Sequence, residues 1–249
     1  MMTGRKLHCC LAAGAILSLV LSPVLTIVSV PRPVRAASQQ YTDLAYEHKV
    51  PGQIIFRQGG LTVRERQISE AGLTLHYPYV TVEGDSHVTA RINHYFKAQA
   101  ERSREAYTRA NRPYTEGRGE MLTSSVDYLI DYADQEFFGF RCYGMDYYER
   151  AAHPSSWERG VVFDRATGRR VTWQEVLQKR GRKPYTLELV NEALWASPYG
   201  KEHSFFEDFT GLARLPENFY LDRDGKIHFI FQQYEIAPYA AGIIDLPME

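Results

Sequence analysis

The residues best suited to chemistry or recognition in this 249-residue chain lie near its C-terminus. Tyr234-Glu235-Ile236-Ala237-Pro238-Tyr239 follows the near-continuous apolar run Ile227-His228-Phe229-Ile230-Phe231 and breaks at Pro238. Proline fixes φ and limits loop entropy, so the Tyr239 ring is presented at low ordering cost. Tyrosine pairs a broad apolar face with a polar tip, which suits a protein hot spot or stacking on a sugar. Ala240, Ala241 and Gly242 keep the neighbourhood small and permit close approach. A structural reading stays open beside this one. In it Tyr234 is a core strand residue, Glu235 a cap or an arginine partner, and Pro238-Tyr239 an ordinary corner.

His153-Pro154-Ser155 is the second candidate. In a proline-containing loop His153 can meet a ligand or satisfy a nearby carbonyl. Tyr143, Tyr147 and Tyr148 either extend an aromatic surface there or are plain strand residues. Catalysis has thinner support. Glu235 with Asp222 or Asp224 would make a glycosidase-type pair only if two acids face across a cleft. Asp222-Arg223-Asp224-Gly225 already reads as a hairpin turn, which accounts for its acids. Ser155 lacks a nucleophile elbow, and no P-loop or dinucleotide glycine pattern occurs. Without a CxxC or a His/Cys cluster, neither a metal nor a cofactor is expected. Cys142 lies in an alternating stretch and reads as a small buried hydrophobe.

The N-terminus sets the expected address. Arg5 and Lys6 precede an uncharged run from Leu11 to Val30, then Pro31, Pro33 and the small-x-small site Val34-Arg35-Ala36. Residues 1–36 therefore read as a secretory signal peptide or an uncleaved anchor, and both place the remainder outside the cytoplasm. Any membrane contact would run through this segment alone. Removing it takes away four basic side chains and no acid, moving the formal charge from −1 to −5. That balance argues against nucleic acid and would weakly attract a basic partner protein.

Residues 37–60 read as a leader with breakers at Pro51-Gly52 and Gly59-Gly60, and one short strand at Ile54-Ile55-Phe56. Leu73 to Tyr77 alternates as a strand stopping at Pro78. Asp85 and Ser86 cap a helix carrying Val88, Ile92, Tyr95, Phe96 and Ala100 on one stripe, ending near Pro113. This stripe is assigned to the core rather than to a binding groove. The period then becomes two: Leu122, Ser124, Val126, Tyr128, Ile130 and Tyr132 share a face, followed by Phe138, Phe140 and Cys142 after a turn. Val161 to Phe163 forms another strand with its turn at Asp164–Gly168. Helices follow at 172–179 and 183–196, with a short one carrying Phe205, Phe206 and Phe209. A C-terminal hairpin and Ile243 to Leu246 close the chain. The class is α+β, with antiparallel sheets and segregated helices.

Three stretches carry a resemblance: Ala151-Ala152-His153-Pro154-Ser155, Phe163-Asp164-Arg165-Ala166-Thr167-Gly168, and Tyr234-Glu235-Ile236-Ala237-Pro238-Tyr239. Together they resemble the extracytoplasmic domain shared by RsiV-type lysozyme-sensing anti-sigma factors and the N-terminal region of PdaC-type peptidoglycan deacetylases. Residues 61–150 are similar to the PdaC-type region, and residues 151–249 to the RsiV-type C-terminal domain. The resemblance implies an envelope protein whose domain binds rather than catalyses, with lysozyme or peptidoglycan as partner. The residues read above as candidate contacts of such a domain are His153, Pro154, Ser155, Tyr234, Glu235, Pro238 and Tyr239. Deacetylase chemistry in such proteins belongs to a separate metal-dependent domain, and no His-x-x-x-His pair of that domain occurs in this sequence. Only the docking module is expected to transfer.

Overall fold

The computed structural model describes residues 50–248. Residues 1–36 and the first part of the leader lie outside the described residues. The chain is α+β, with a six-stranded sheet in order β1-β2-β3-β4-β5-β6 and a three-stranded sheet in order β7-β8-β9. The first sheet is built from β1 (Ile54–Gln58), β2 (Leu61–Glu70), β3 (Leu73–Val82), β4 (Leu122–Ala133), β5 (Phe137–Tyr148) and β6 (Ser155–Asp164). All neighbours pair antiparallel except β3 with β4, which run parallel over Leu73, Leu75 and the residue between them.

β3 extends five residues beyond Tyr77, passing through Pro78. Pro78 is tolerated because no ladder partner asks for its missing N–H. The Glu65 amide opposite it donates outward to the Gln53 carbonyl, and pairing with β4 has already stopped at Leu75. Beyond that point α1 (Ser86–Thr115) takes over the free edge of β3. Asn93 holds both the amide and the carbonyl of Val80 at 2.7 Å, and the Thr89 hydroxyl accepts from the Val82 amide.

The Asp85 carboxylate accepts from the Val88 amide and starts α1 as expected. Val88, Ile92 and Phe96 bury against Leu61, Val63, Tyr128, Phe138, Phe140 and Phe163 in the first core. The helix continues past Pro113 to Thr115, and Asn111 pins it by bonding both backbone groups of Leu122. One buried acid crosses this core. Glu65 is fully buried, with one oxygen 2.8 Å from His76 Nδ1 and the other accepting from the Tyr128 hydroxyl at 2.8 Å. Substituting Glu65→Leu would orphan both partners and is expected to cost about 2–4 kcal/mol, read as a lower urea midpoint at unchanged slope.

The second sheet comprises β7 (Phe219–Leu221), β8 (Ile227–Phe231) and β9 (Ile244–Pro247). One face of it, with Leu221, Phe229, Phe231 and Leu246, packs on α2 (Trp173–Lys179) and α3 (Leu187–Ala196). Thr172 and Glu175 cap α2 reciprocally, and Thr186 caps α3. The short helix expected around Phe205, Phe206 and Phe209 does not form. α4 (Pro198–Lys201) ends four residues before Phe205, and the three rings lie on irregular backbone where Phe205 meets Trp195 edge-on and Phe209 packs against it at a tilt. Tertiary packing of these rings needs no helix beneath them.

β4 departs from strict alternation. A bulge between Ile130 and Tyr132 leaves Asp131 out of the backbone register with β5, so Tyr132 turns to the face opposite Tyr128 and Ile130. It packs with the second core, and the single face expected from Leu122 to Tyr132 is divided there.

Candidate functional site

Two motifs distant in sequence are brought together along the outer edge of β6. An edge strand presents unpaired backbone groups, and here side-chain amides satisfy them. Gln233 Oε1 accepts from the Ser156 amide, Gln232 bonds both the amide and the carbonyl of Glu158, and Asn218 bonds the Gly160 amide and the Glu158 carbonyl. This clasp fixes the 232–235 turn against the loop that precedes Ser155, and the aromatic residues of both motifs meet.

The Tyr239 ring stacks on His153 with centroids 3.8 Å apart and planes 25° apart. Tyr234 stands 5.9 Å from Tyr239, and its hydroxyl lies 3.4 Å from His153 Nε2. Tyr234 is 56% exposed and adopts φ 64°, a left-handed conformation uncommon for a residue with a Cβ. Tyr239 is half-buried at the start of a 3₁₀ turn (Tyr239–Ala241) that Pro238 precedes with φ −66°. His153 is exposed, and its Nδ1 lies 3.1 Å from the Pro154 carbonyl.

The remaining predicted residues divide differently. Glu235 turns its carboxylate back to accept from the Gln232 amide at 2.7 Å, so it serves its own turn. Asp222 bonds the amides of Asp224 and Lys226 in the β7–β8 hairpin. Glu235 and Asp222 thus flank opposite ends of β8, separated by about 16 Å of strand, well beyond the spacing of a glycosidase pair. Ser155 opens β6 as an exposed residue, and Pro154 sits beside it half-buried. Tyr143, Tyr147 and Tyr148 are strand residues of β5, and Cys142 is half-buried rather than enclosed.

A second polar constellation escaped the sequence reading. Arg141 on β5 makes a two-pronged contact with Asp131 at 3.2 Å and 3.2 Å, and reaches Glu158 at 3.6 Å. From the other sheet Tyr220 lays its ring 4.3 Å from that guanidinium and donates to Asp245 at 2.6 Å. His228 stands between Asp245 at 2.7 Å and Asp222 at 3.3 Å. Burial pushes the carboxyls of Asp131 and Glu158 above their ordinary range while Arg141 pulls the other way. Burial also raises the Tyr220 phenol, reinforced by Asp245. For His228 burial works against the charged ring, yet the bonds and charges of Asp245 and Asp222 raise its pKa overall. The arrangement is a charge-paired bridge between sheets. The signal that could have found it is an acid, Asp131, on the polar face of one alternating stretch and a base, Arg141, in the next.

Among the described residues no group of three or more His, Cys, Asp or Glu is placed to hold a metal ion. Likewise no described helix is long and apolar enough to cross a membrane.

Residues 177–249 match a family model described as "Protein of unknown function (DUF3298)". The chain is similar to the crystal structure of a DUF3298 family member from Bacteroides fragilis, with TM-score 0.57 and 19% identity over 78% of this chain and 92% of that one. A DUF3298 family structure from Pseudomonas aeruginosa aligns at TM-score 0.47 and 13% identity, over 74% of this chain and 87% of that chain. None of the curated proteins matches the chain. The Bacteroides likeness is one of fold.

Proposed function

We propose that this chain is a non-catalytic module, exported or tethered outside the cytoplasm, that binds peptidoglycan or a lysozyme-like protein through the face formed by His153, Tyr234 and Tyr239. The observation that carries the reading is Tyr234, a large ring held largely exposed on left-handed backbone. Such strain persists only where the surroundings over-determine it, and it concentrates at ligand clamps. The clasp of Gln232 and Gln233 on β6 supplies that over-determination. Side-by-side rings with polar tips suit a glycan strand. The resemblance to RsiV-type and PdaC-type domains and the acidic balance beyond residue 36 support an envelope address and a basic protein partner.

Calorimetric titration of the protein with soluble muropeptides and with lysozyme tests the reading, and heat from neither would sink it. Tyr234→Gly gives a sharper signature. Glycine adopts positive φ freely, so folding is expected to gain about 0.5–1 kcal/mol and Tm to rise by roughly 1–4 °C, while binding falls at least tenfold. A variant that binds normally would return Tyr234 to a structural role.

A further inference from the structure

Beneath the second half of α1, between Phe96 and the Asn111 tie to Leu122, helix and sheet stand apart without filling the space between them. The helix face that packs Val88, Ile92 and Phe96 into the core continues as Ala100, Ser103, Ala106 and Ala110, side chains too short to reach the strands. A groove of about 410 Å³ results, floored by Leu75, Tyr77, Val126, Cys142, Trp157 and Val161. Trp157 lies flat there because Gly144 opposite has no side chain; a Cβ at Gly144 would come within 2.6 Å of the indole. From Tyr95 to Ala110 the groove follows the helix for a rise of about 22 Å. The stripe expected to face the core, Val88 to Ala100, is buried at Val88, Ile92, Phe96 and Ala100, and the groove continues past it along Ser103, Ala106 and Ala110.

The two ends of the groove differ in charge. At one end Arg159 lines it and Arg170 sets its guanidinium 5.1 Å from the centre of the Tyr95 ring. Burial raises the pKa of the Tyr95 hydroxyl, while the charges of Arg170, Arg159 and Arg102 pull it the other way. All three arginines are exposed, and among the described residues none has a carboxylate within ion-pair distance. Arg159 pairs across β5 with Cys142, and Asp146 lies four residues further along that strand, about 13 Å away. The acid marks the opposite end and repels a second anionic head there.

We propose that this groove binds a single-chain anionic amphiphile, its acyl chain laid along the small-residue face of α1 and its acid head among Arg102, Arg159 and Arg170. Apolar walls, a length suited to one chain and cations at one end match that chemistry. The site shares no residue with the face of His153, Tyr234 and Tyr239 and does not rest on the function proposed for it.

Titrating the full chain calorimetrically with monomeric sodium myristate, and separately with tetradecyltrimethylammonium bromide, tests the proposal. One myristate is expected per chain, with the cationic amphiphile at least tenfold weaker. Ala106→Trp, at an exposed position on the rim of the groove, should fill it and abolish myristate binding at unchanged Tm. Arg159→Gln should weaken myristate at least fivefold and narrow the preference between head groups. Tyr234→Gly should leave myristate binding intact. Equal affinity for the two heads, or undiminished binding by a folded Ala106→Trp protein, would overturn the proposal. So would sedimentation of the chain with phosphatidylglycerol vesicles but no binding of monomeric myristate.

Discussion

Gly160→Ala is expected to cost more than about 4 kcal/mol, most of the stability of a domain near the lower end of the ordinary range of about 5–15 kcal/mol. The reason is where the two sheets touch. β7 crosses the edge of β6 so closely that a Cβ at residue 160 would overlap the carbonyl oxygen of Phe219. The atoms it would meet, the Phe219 carbonyl carbon and oxygen and the Tyr220 nitrogen, are all backbone, so no side-chain rotation relieves the overlap. Moving β7 outward breaks the bond from the Gly160 amide to Asn218 and loosens Phe219 and Leu221 from the second core. Gly139→Ala supplies the control. It lies on neighbouring β5 and its added Cβ would meet Tyr132 and Val162 side-chain atoms at 3.6 Å and 3.7 Å, ordinary contact distances. Urea midpoints and soluble yield of the two variants should differ sharply. Similar values for both would show that β7 can yield without penalty.

Arg141→Ala is expected to cost about 3–5 kcal/mol at neutral pH, because it leaves buried carboxylates without their cation. Asp131 and Glu158 already have raised pKa values in the folded state. A carboxyl raised on folding binds its proton more tightly when folded, so its contribution to stability is present at low pH and is lost as pH climbs through the raised value. Removing Arg141 takes away the pull opposing that rise. The penalty should therefore be largest near neutral pH and shrink as the pH falls, where protonation relieves the uncompensated charge. The comparison must be variant against parent at each pH. Asp134, held below its usual range chiefly by the Tyr132 and backbone bonds that outweigh its burial, and Asp164, likewise held down by Lys179 and Thr167, weaken both proteins as acid is added. A penalty that stays flat from neutral to acid would mean that Asp131 and Glu158 find other partners.

How much of this was legible in the residues depended on whether neighbours in sequence or neighbours in space decide the outcome. The Asp222–Gly225 hairpin and the Asp85 cap are local, and both stand where their residue types place them. The stripe on α1 was legible as a helix face, but its change from large to small side chains after Phe96 becomes a groove only once the sheet lies beneath it. The bulge at Asp131 was not legible, because its consequence, turning Tyr132 to the other core, depends on Arg141 and Gly139 across the ladder. β2 went unread since its alternation passes through Glu65, an acid whose burial is explained only by His76 and Tyr128. For the candidate site, His153 and Tyr239 could each be suspected alone. Their stacking follows from the glutamine clasp on β6, which joins residues separated by 74 and 77 positions.

That clasp also has a consequence for the order in which the chain can mature. A polypeptide emerges from its N-terminus, so β6 is available before the side chains that close it. Asn218 follows Gly160 by 58 residues, and Gln232 and Gln233 follow their partners by still more. Until those amides arrive, the strand is a bare template on which a second nascent chain can add itself. The C-terminal third therefore acts as a guard built into the same molecule, and its late appearance sets the interval during which crowding is most dangerous.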